Sequence, residues 1–269
     1  MRQSLDTVGA FIGPALAILL MLITADNYQF IFWIAVIPAF AAVGILAGFV
    51  YEPRQDEGRT RLRFPLQRSE MIRLGKGYWL IVAIAAVFAL ARFSEAFLIL
   101  RAETAGLPVA FAPIVLVGMN VVYALSAYPA GALSDRVDRL SILALGLGVL
   151  MAADILLAAS SHLAVVAGGI TLWGLHMGLT QGLLAAFVAD TAPTDLRGSA
   201  FGVFNLVNGI ALLGASLGAG LLWDELGAPA TFLAGAIVSG VAPTAVLSIR
   251  RSYPGRTSHQ MHRDVRGSD

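Results

Sequence analysis

The sequence predicts an all-α integral membrane protein, and three observations carry that reading. Its residues are 58% hydrophobic and only 13% charged, with a mean hydropathy of +0.78, whereas a soluble domain carries about 25% charged residues. Eight apolar runs are each long enough, at about 20 residues, to cross the hydrocarbon of a bilayer. The connections between the runs alternate between strongly basic and nearly free of Lys and Arg. Unpaired backbone groups are prohibitively costly in lipid, and the runs lack the period-2 alternation of barrel strands, so each run is expected as an α-helix.

The runs lie near residues 7–25, 29–50, 78–100, 108–133, 140–160, 163–189, 199–222 and 228–249. The first carries Gly9, Gly13 and Pro14 and is followed by seven more, which argues against a cleaved signal segment. Between the second and third lies YEPRQDEGRTRLRFPLQRSEMIRLGKG, residues 51–77. This polar, basic stretch reads as a cytoplasmic linker dividing two helices, residues 1–50, from a six-helix unit, residues 78–250; residues 251–269 form a basic tail. Around Leu66 to Leu74 the alternative is a short amphipathic piece lying on anionic lipid.

Orientation follows from the basic residues, because cytoplasmic loops retain Lys and Arg. One side holds Arg2, the seven cations of residues 51–77, Arg136, Arg139, Arg197 and the five of the C-terminal segment, which makes 16 of the 18 basic residues. The opposite connections contain Arg101 alone, and Arg92 falls inside a run. Both termini are expected in the cytoplasm. The absence of cysteine removes disulfides, thiolate metal sites and cysteine nucleophiles. The net charge of +1 gives no reason to expect a nucleic-acid partner, and no metal cluster, nucleophile set or phosphate loop is visible, so neither a cofactor nor an enzymatic activity is expected.

An internal repeat is also legible. Setting residues 201–223 beneath residues 1–23 brings Gly209 under Gly9, and in each copy an acidic loop follows, then a helix that opens on an aromatic residue and ends at a basic segment. If residues 78–249 are one complete unit, the two helices before the linker are the last third of an equivalent unit, and four preceding helices are missing.

Between the fourth and fifth runs stands Gly131-x-Leu133-Ser134-Asp135-Arg136-x-x-Arg139. It resembles the loop motif G-x-L-[AS]-D-R-x-G-R-[RK] of the major facilitator superfamily, which joins the second and third helices of each six-helix half. Asp138 replaces the second Gly of that motif and Leu140 its last basic residue. Pro193-x-x-x-Arg197-Gly198-x-x-x-Gly202 is similar to the family's entry into its eleventh helix, and Gly9-x-x-x-Gly13-Pro14 to the fifth-helix motif of its antiporter branches, with Ala17 where a further Gly is expected. The resemblance implies a bundle of the family's type in which this chain supplies helices five to twelve, the complete C-terminal half and the last two helices of the N-terminal half.

What the resemblance implies for function is secondary active transport of a small organic solute by alternating access in a bacterial inner membrane. Asp135, with Arg136, Arg139 and Arg197, would form a conformational latch at the cytoplasmic side, where a carboxylate against a helix N-terminus gains about 0.3–1 kcal/mol; the alternative is a charged turn that only fixes topology. Gly9, Gly13 and Pro14 would pack helices. Arg92 and Glu95, three residues apart, are expected on one face of a helix lining the central cavity, since each would cost about 2.5–3.5 kcal/mol at the bilayer centre if unpartnered. Glu95 reads either as a proton carrier tuned by Arg92 or as half of a static ion pair.

Trp173, His176 and Thr180, with Gln181 beside them, form a polar and aromatic stripe suited to a partly apolar solute, the alternative being a packing histidine. Asn120 with Tyr123, and Asn205 with Asn208, are lesser candidates, and Asp154 and Asp190 are placed near helix ends or an interface. Proton-coupled efflux is the favoured direction, on the Gly-Pro motif and Glu95. Uptake symport and a non-transporting membrane subunit are the alternatives. The expected partners are the solute, a proton, the lipid bilayer and either the missing helices one to four or another copy of the chain.

The charge asymmetry gives a direct test. Single cysteines introduced as Asp26→Cys, Ser160→Cys and Ala228→Cys should react with an impermeant thiol reagent on intact cells, whereas Glu57→Cys, Val137→Cys and Ser258→Cys should react only after permeabilisation. Labelling of position 57 from outside would overturn the helix assignment.

Overall fold

The computed structural model describes residues 12–13, 16–24, 27–49, 68–134 and 136–252. Residues 16–23 are helical, and α1 follows at Tyr28–Phe49. The remaining helices are the short α2 (Arg68–Arg73), α3 (Gly75–Ala91), α4 (Ala96–Thr104), α5 (Ala112–Ser134), α6 (Arg139–Ala159), α7 (Leu163–Thr191), α8 (Arg197–Leu226) and α9 (Ala228–Ser252). Single 3-10 turns at Val109–Phe111 and Thr194–Leu196 lead into α5 and α8. Helical residues 68–73 stand inside the stretch where the sequence allows a short amphipathic piece.

Among the described residues five helical spans are long and apolar enough to cross a bilayer: Gly75–Thr104, Val109–Ser134, Arg139–Ala159, Leu163–Thr191 and Thr194–Leu226. Gln29–Ile45 and Ala228–Pro243 are shorter apolar helical stretches. The first of the eight runs falls partly outside the described residues. Helix ends are set by local chemistry. The Asp138 side chain accepts from the Ser141 N–H at 3.2 Å and from its hydroxyl at 3.0 Å, so the residue that departs from the loop motif is the N-cap of α6. Gly227, at φ +81°, ends α8 with its N–H on the Trp223 carbonyl, a conformation that strains any residue with a Cβ.

Helices α3 to α9 form the packed unit. Helix α6 lies between α7 and α9, α5 lies against α7, and α3 closes the group against α8 and α9. The core is a continuous cluster running from Tyr78 and Phe88 through Leu147, Leu150 and Trp173 to Phe232. Two polar contacts tie its ends: the Tyr78 hydroxyl donates to the Ala200 carbonyl at 2.8 Å, and Arg101 donates from Nε to the Leu157 carbonyl at 2.8 Å and from Nη2 to the Ser160 carbonyl at 2.9 Å. Arg101 thereby satisfies carbonyls that the end of α6 leaves open.

Two expectations meet a different arrangement. The run at 78–100 is not one helix: residues 92–95 interrupt it, and α3 and α4 are its two pieces. Repeat symmetry also suggests that the first two helices pack on the six-helix unit through Gly9 and Gly13 against Gly214 and Gly218. Among the described residues Gly13, Gly214 and Gly218 are exposed, with open space where a methyl group would stand, and Gly9 lies outside the described residues. In lipid no hydrophobic gain drives apolar faces together, so small residues form a contact only where backbones approach closely.

Such an approach is present between α5 and α7. A Cβ at Gly174 would collide with the Met119 carbonyl oxygen and lie 3.1 Å from the Val122 side chain. Gly174→Ala should therefore cost about 1–3 kcal/mol and lower the melting temperature in detergent, while Gly118→Ala, on an open face of α5, should stay near wild type. Equal melting of the two variants would show that α5 and α7 do not meet here.

Candidate solute cavity

The interruption at 92–95 positions the site. Arg92 has extended backbone angles, φ −116° and ψ +114°, and ends α3. The Ser94 N–H has lost its helical acceptor and donates instead to the Ser216 hydroxyl of α8 at 3.0 Å. Phe93 is buried in an aromatic cluster, with ring centroids 5.4 Å from Trp173, 5.4 Å from Phe232 and 5.3 Å from Phe97. Non-helical backbone at membrane depth is tolerated only where protein buries it or where it borders a cavity, and this segment does both.

The cavity it borders has a volume of about 310 Å³, at the lower end of the range of solute pockets. Its walls are α3, α7 and α8. Phe88 and Arg92 come from the first, His176, Thr180 and Gln181 from the second, and Phe204, Asn205 and Asn208 from the third. Among the described residues Arg92 is the charged member of the lining, which includes no acidic side chain.

Each polar wall residue is held by its own helix or the next. His176 is buried, its Nδ1 2.8 Å from the Gly146 carbonyl of α6; since a carbonyl accepts, that nitrogen carries the proton. Its ring stacks on Phe88 with centroids 6.5 Å apart. The Thr180 hydroxyl donates to the His176 carbonyl at 2.9 Å. These contacts leave the cavity a wall of fixed aromatic faces with amide groups opposite.

The stripe expected on α7 is therefore divided. His176, Thr180 and Gln181 line the cavity, whereas Trp173 is fully buried against Phe93 behind it. Asn120 donates to the Leu116 carbonyl at 2.8 Å within α5 and is absent from the lining. Arg92 and Glu95 do not share a helical face: the helix ends between Ala91 and Ala96, because the Ser94 N–H finds its acceptor on another helix. Glu95 stands at the start of α4. Asn205 and Asn208, lesser candidates by sequence, are wall residues because α8 turns that face toward α3.

At the other end, Arg139 donates from Nη1 to Asp190 Oδ2 at 2.8 Å and lies 5.8 Å over the Phe187 ring, joining the start of α6 to the end of α7. Arg73 makes a similar bond of 2.8 Å to Asp195. Both pairs are largely exposed, a setting in which an ion pair contributes about 0–1 kcal/mol. Arg136 and Arg197 are exposed; Asp135, Gly9 and Pro14 lie outside the described residues, as do the linker before residue 68 and the tail after 252. Among the described residues no group of His, Asp and Glu is placed to hold a metal ion. Asp154, which its sequence neighbourhood marks only as a helix-end or interface residue, is fully buried on α6.

The chain is similar to known proteins along nearly its whole length. It matches the Major Facilitator Superfamily over residues 1–212 and again over residues 97–266. It is 29% identical over 257 residues to an uncharacterised MFS-type transporter of Methanocaldococcus jannaschii, covering 92% of this chain and 62% of that protein. It is 26% identical over 227 residues to uncharacterised proteins of Mycobacterium bovis and Mycobacterium tuberculosis, covering 83% of this chain and 55% of each. The chain thus spans about three fifths of the length of these relatives. With its membrane-length helices, its loop between α5 and α6 and these matches, the chain is a multi-pass membrane protein that belongs to the major facilitator superfamily.

Proposed function

We propose that the chain forms one wall of a secondary active transporter that moves a small organic solute by alternating access, and that the ≈310 Å³ cavity is the solute's place on this wall. The observation that supports this is the convergence on that cavity of one cation, two amide side chains of α8 and two phenylalanines, with no carboxylate among the described lining residues. Such a lining suits an organic anion with an apolar or aromatic body: Arg92 meets the anionic group, Gln181, Asn205 and Asn208 supply hydrogen bonds, and Phe88 and Phe204 cover the apolar part.

The chain is mapped as helices five to twelve, so the facing wall comes from helices one to four in a longer protein, in a partner fragment or in another copy. Proton coupling with efflux is the direction proposed, resting on the Gly-Pro motif at residues 9–14 and on Glu95 beside the cavity's cation. The latch assigned to Asp135, Arg136, Arg139 and Arg197 belongs to the same reading, with the Arg139–Asp190 pair as a contact that rocking would have to break or carry along.

Binding tests the cavity and flux tests the coupling. Arg92→Gln should weaken binding of an aromatic carboxylate such as benzoate by about tenfold or more, the scale of one charge-assisted hydrogen bond, while binding of the neutral amide stays unchanged. Equal loss for both ligands would remove the anion reading. In liposomes holding a complete assembly, Glu95→Gln should abolish the dependence of flux on a pH gradient and leave solute binding within a few-fold. The 269-residue chain alone should give no flux, and robust flux from it would overturn the one-wall reading.

A further inference from the structure

Asp154 sits on α6 with no exposed surface, and among the described residues neither of its carboxyl oxygens has a hydrogen-bond partner. It is not a residue at a helix end: α6 spans Arg139–Ala159, and α7 and α9 flank it along its length. The facing residue on α9 is Gly235, where a Cβ would stand 2.7 Å from Asp154 Oδ2 and 3.0 Å from the Phe93 ring. Asp154 and Phe93 thus crowd the same glycine, and Phe93 adjoins Arg92 in the interruption that borders the cavity. Phe93 also packs on Trp173, whose indole Nε1 is likewise buried without a partner among the described residues.

The charged and titratable groups of the neighbouring helices are committed elsewhere. Arg101, on α4, is bonded to the Leu157 and Ser160 carbonyls; His176, on α7, to the Gly146 carbonyl; and Asp190, at the end of α7, to Arg139. Arg92 lines the cavity, with Glu95 and Tyr123 as its electrostatic neighbours. Residues 228–243 of α9 contain no titratable side chain. A carboxylate held there would be a buried charge with neither counter-ion nor donor, the costliest state of a polar group in a protein interior. The neutral acid avoids the charge penalty and keeps only the smaller cost of an unpaired polar group.

We propose that Asp154 is a proton-binding site of this chain, loaded when α6 and α9 are packed as seen here. The proton comes from water and forms the O–H bond of the carboxylic acid; it returns to water when α9 parts from α6 and admits solvent to the carboxylate. Because Phe93 lies against the same glycine, unloading Asp154 loosens the anchor of the interruption and so the placement of Arg92. That last link rests on the proposed transport function, whereas the proton site itself does not.

Infrared spectroscopy of the full chain in lipid tests the site without measuring flux. Near neutral pH the wild type should show the carbonyl stretch of a protonated carboxylic acid free of strong hydrogen bonds. Asp154→Asn, the isostere of the neutral acid, should remove that band while retaining a melting temperature close to wild type, and Glu95→Gln should leave the band in place. Gly235→Ala, which presses a methyl group toward Oδ2, should shift it and serves if Asp154→Asn does not fold. Absence of the band in the wild type, or a band insensitive to substitution at both 154 and 235, would overturn the proposal. A band found as expected in a protein whose flux ignores the pH gradient would leave the site standing and remove proton coupling from the proposed function.

Discussion

In hydrocarbon every backbone N–H and C=O must find a partner within the protein, and the segment at residues 92–95 shows how much depends on meeting that demand. The chain leaves helical geometry there, and the Ser216 hydroxyl takes the Ser94 N–H at 3.0 Å. That bond ties α8 to the junction of α3 and α4. Phe93 fills the core behind it, and Arg92 is left at the edge of the cavity instead of on the face of a continuous helix. Cavity wall, aromatic core and the approach of α9 to Asp154 all meet at this four-residue departure.

Around it, helices α3 to α9 use two kinds of contact. Close backbone approach at Gly174, and side chains of Asp154 and Phe93 set against Gly235, bring helices together where apolar side chains gain little by leaving lipid. Side-chain to carbonyl bonds then secure helix ends, as Tyr78 to Ala200 and Arg101 to the end of α6, and His176 to Gly146 ties the middles of α7 and α6. His176 links packing to the cavity, since one ring nitrogen is held by α6 while the ring faces Phe88 at the wall. The exposed pairs Arg139–Asp190 and Arg73–Asp195 are weaker and salt-sensitive.

The cavity and the buried carboxyl divide the polar chemistry of the membrane interior between them. One has a cation, amides and aromatic faces on an accessible wall; the other has an acid sealed between α6 and α9. Phe93 shares Gly235 with the second and adjoins Arg92 of the first. Family membership explains the bundle but not this division, because one fold serves many solutes through a few side chains.

By itself the sequence determined the membrane setting, the helical class and the family, because these follow from composition, run length and a loop motif, all local in the chain. It also placed His176 and Thr180 on one face, with Gln181 beside them, since a helix of fixed period carries its neighbours with it. Tertiary structure decided the rest. Nothing in ARFSEAF, without Gly or Pro, announces an interruption, as the acceptor that permits it is 122 residues away on α8. Trp173 and Asn120 leave the cavity, and Asn205 and Asn208 enter it, because the rotation of each helix is set by its packing partners. Asp154 reads from sequence only as a residue near a helix end or an interface; that the interface is with Gly235 of α9 is decided by helices far apart in the chain.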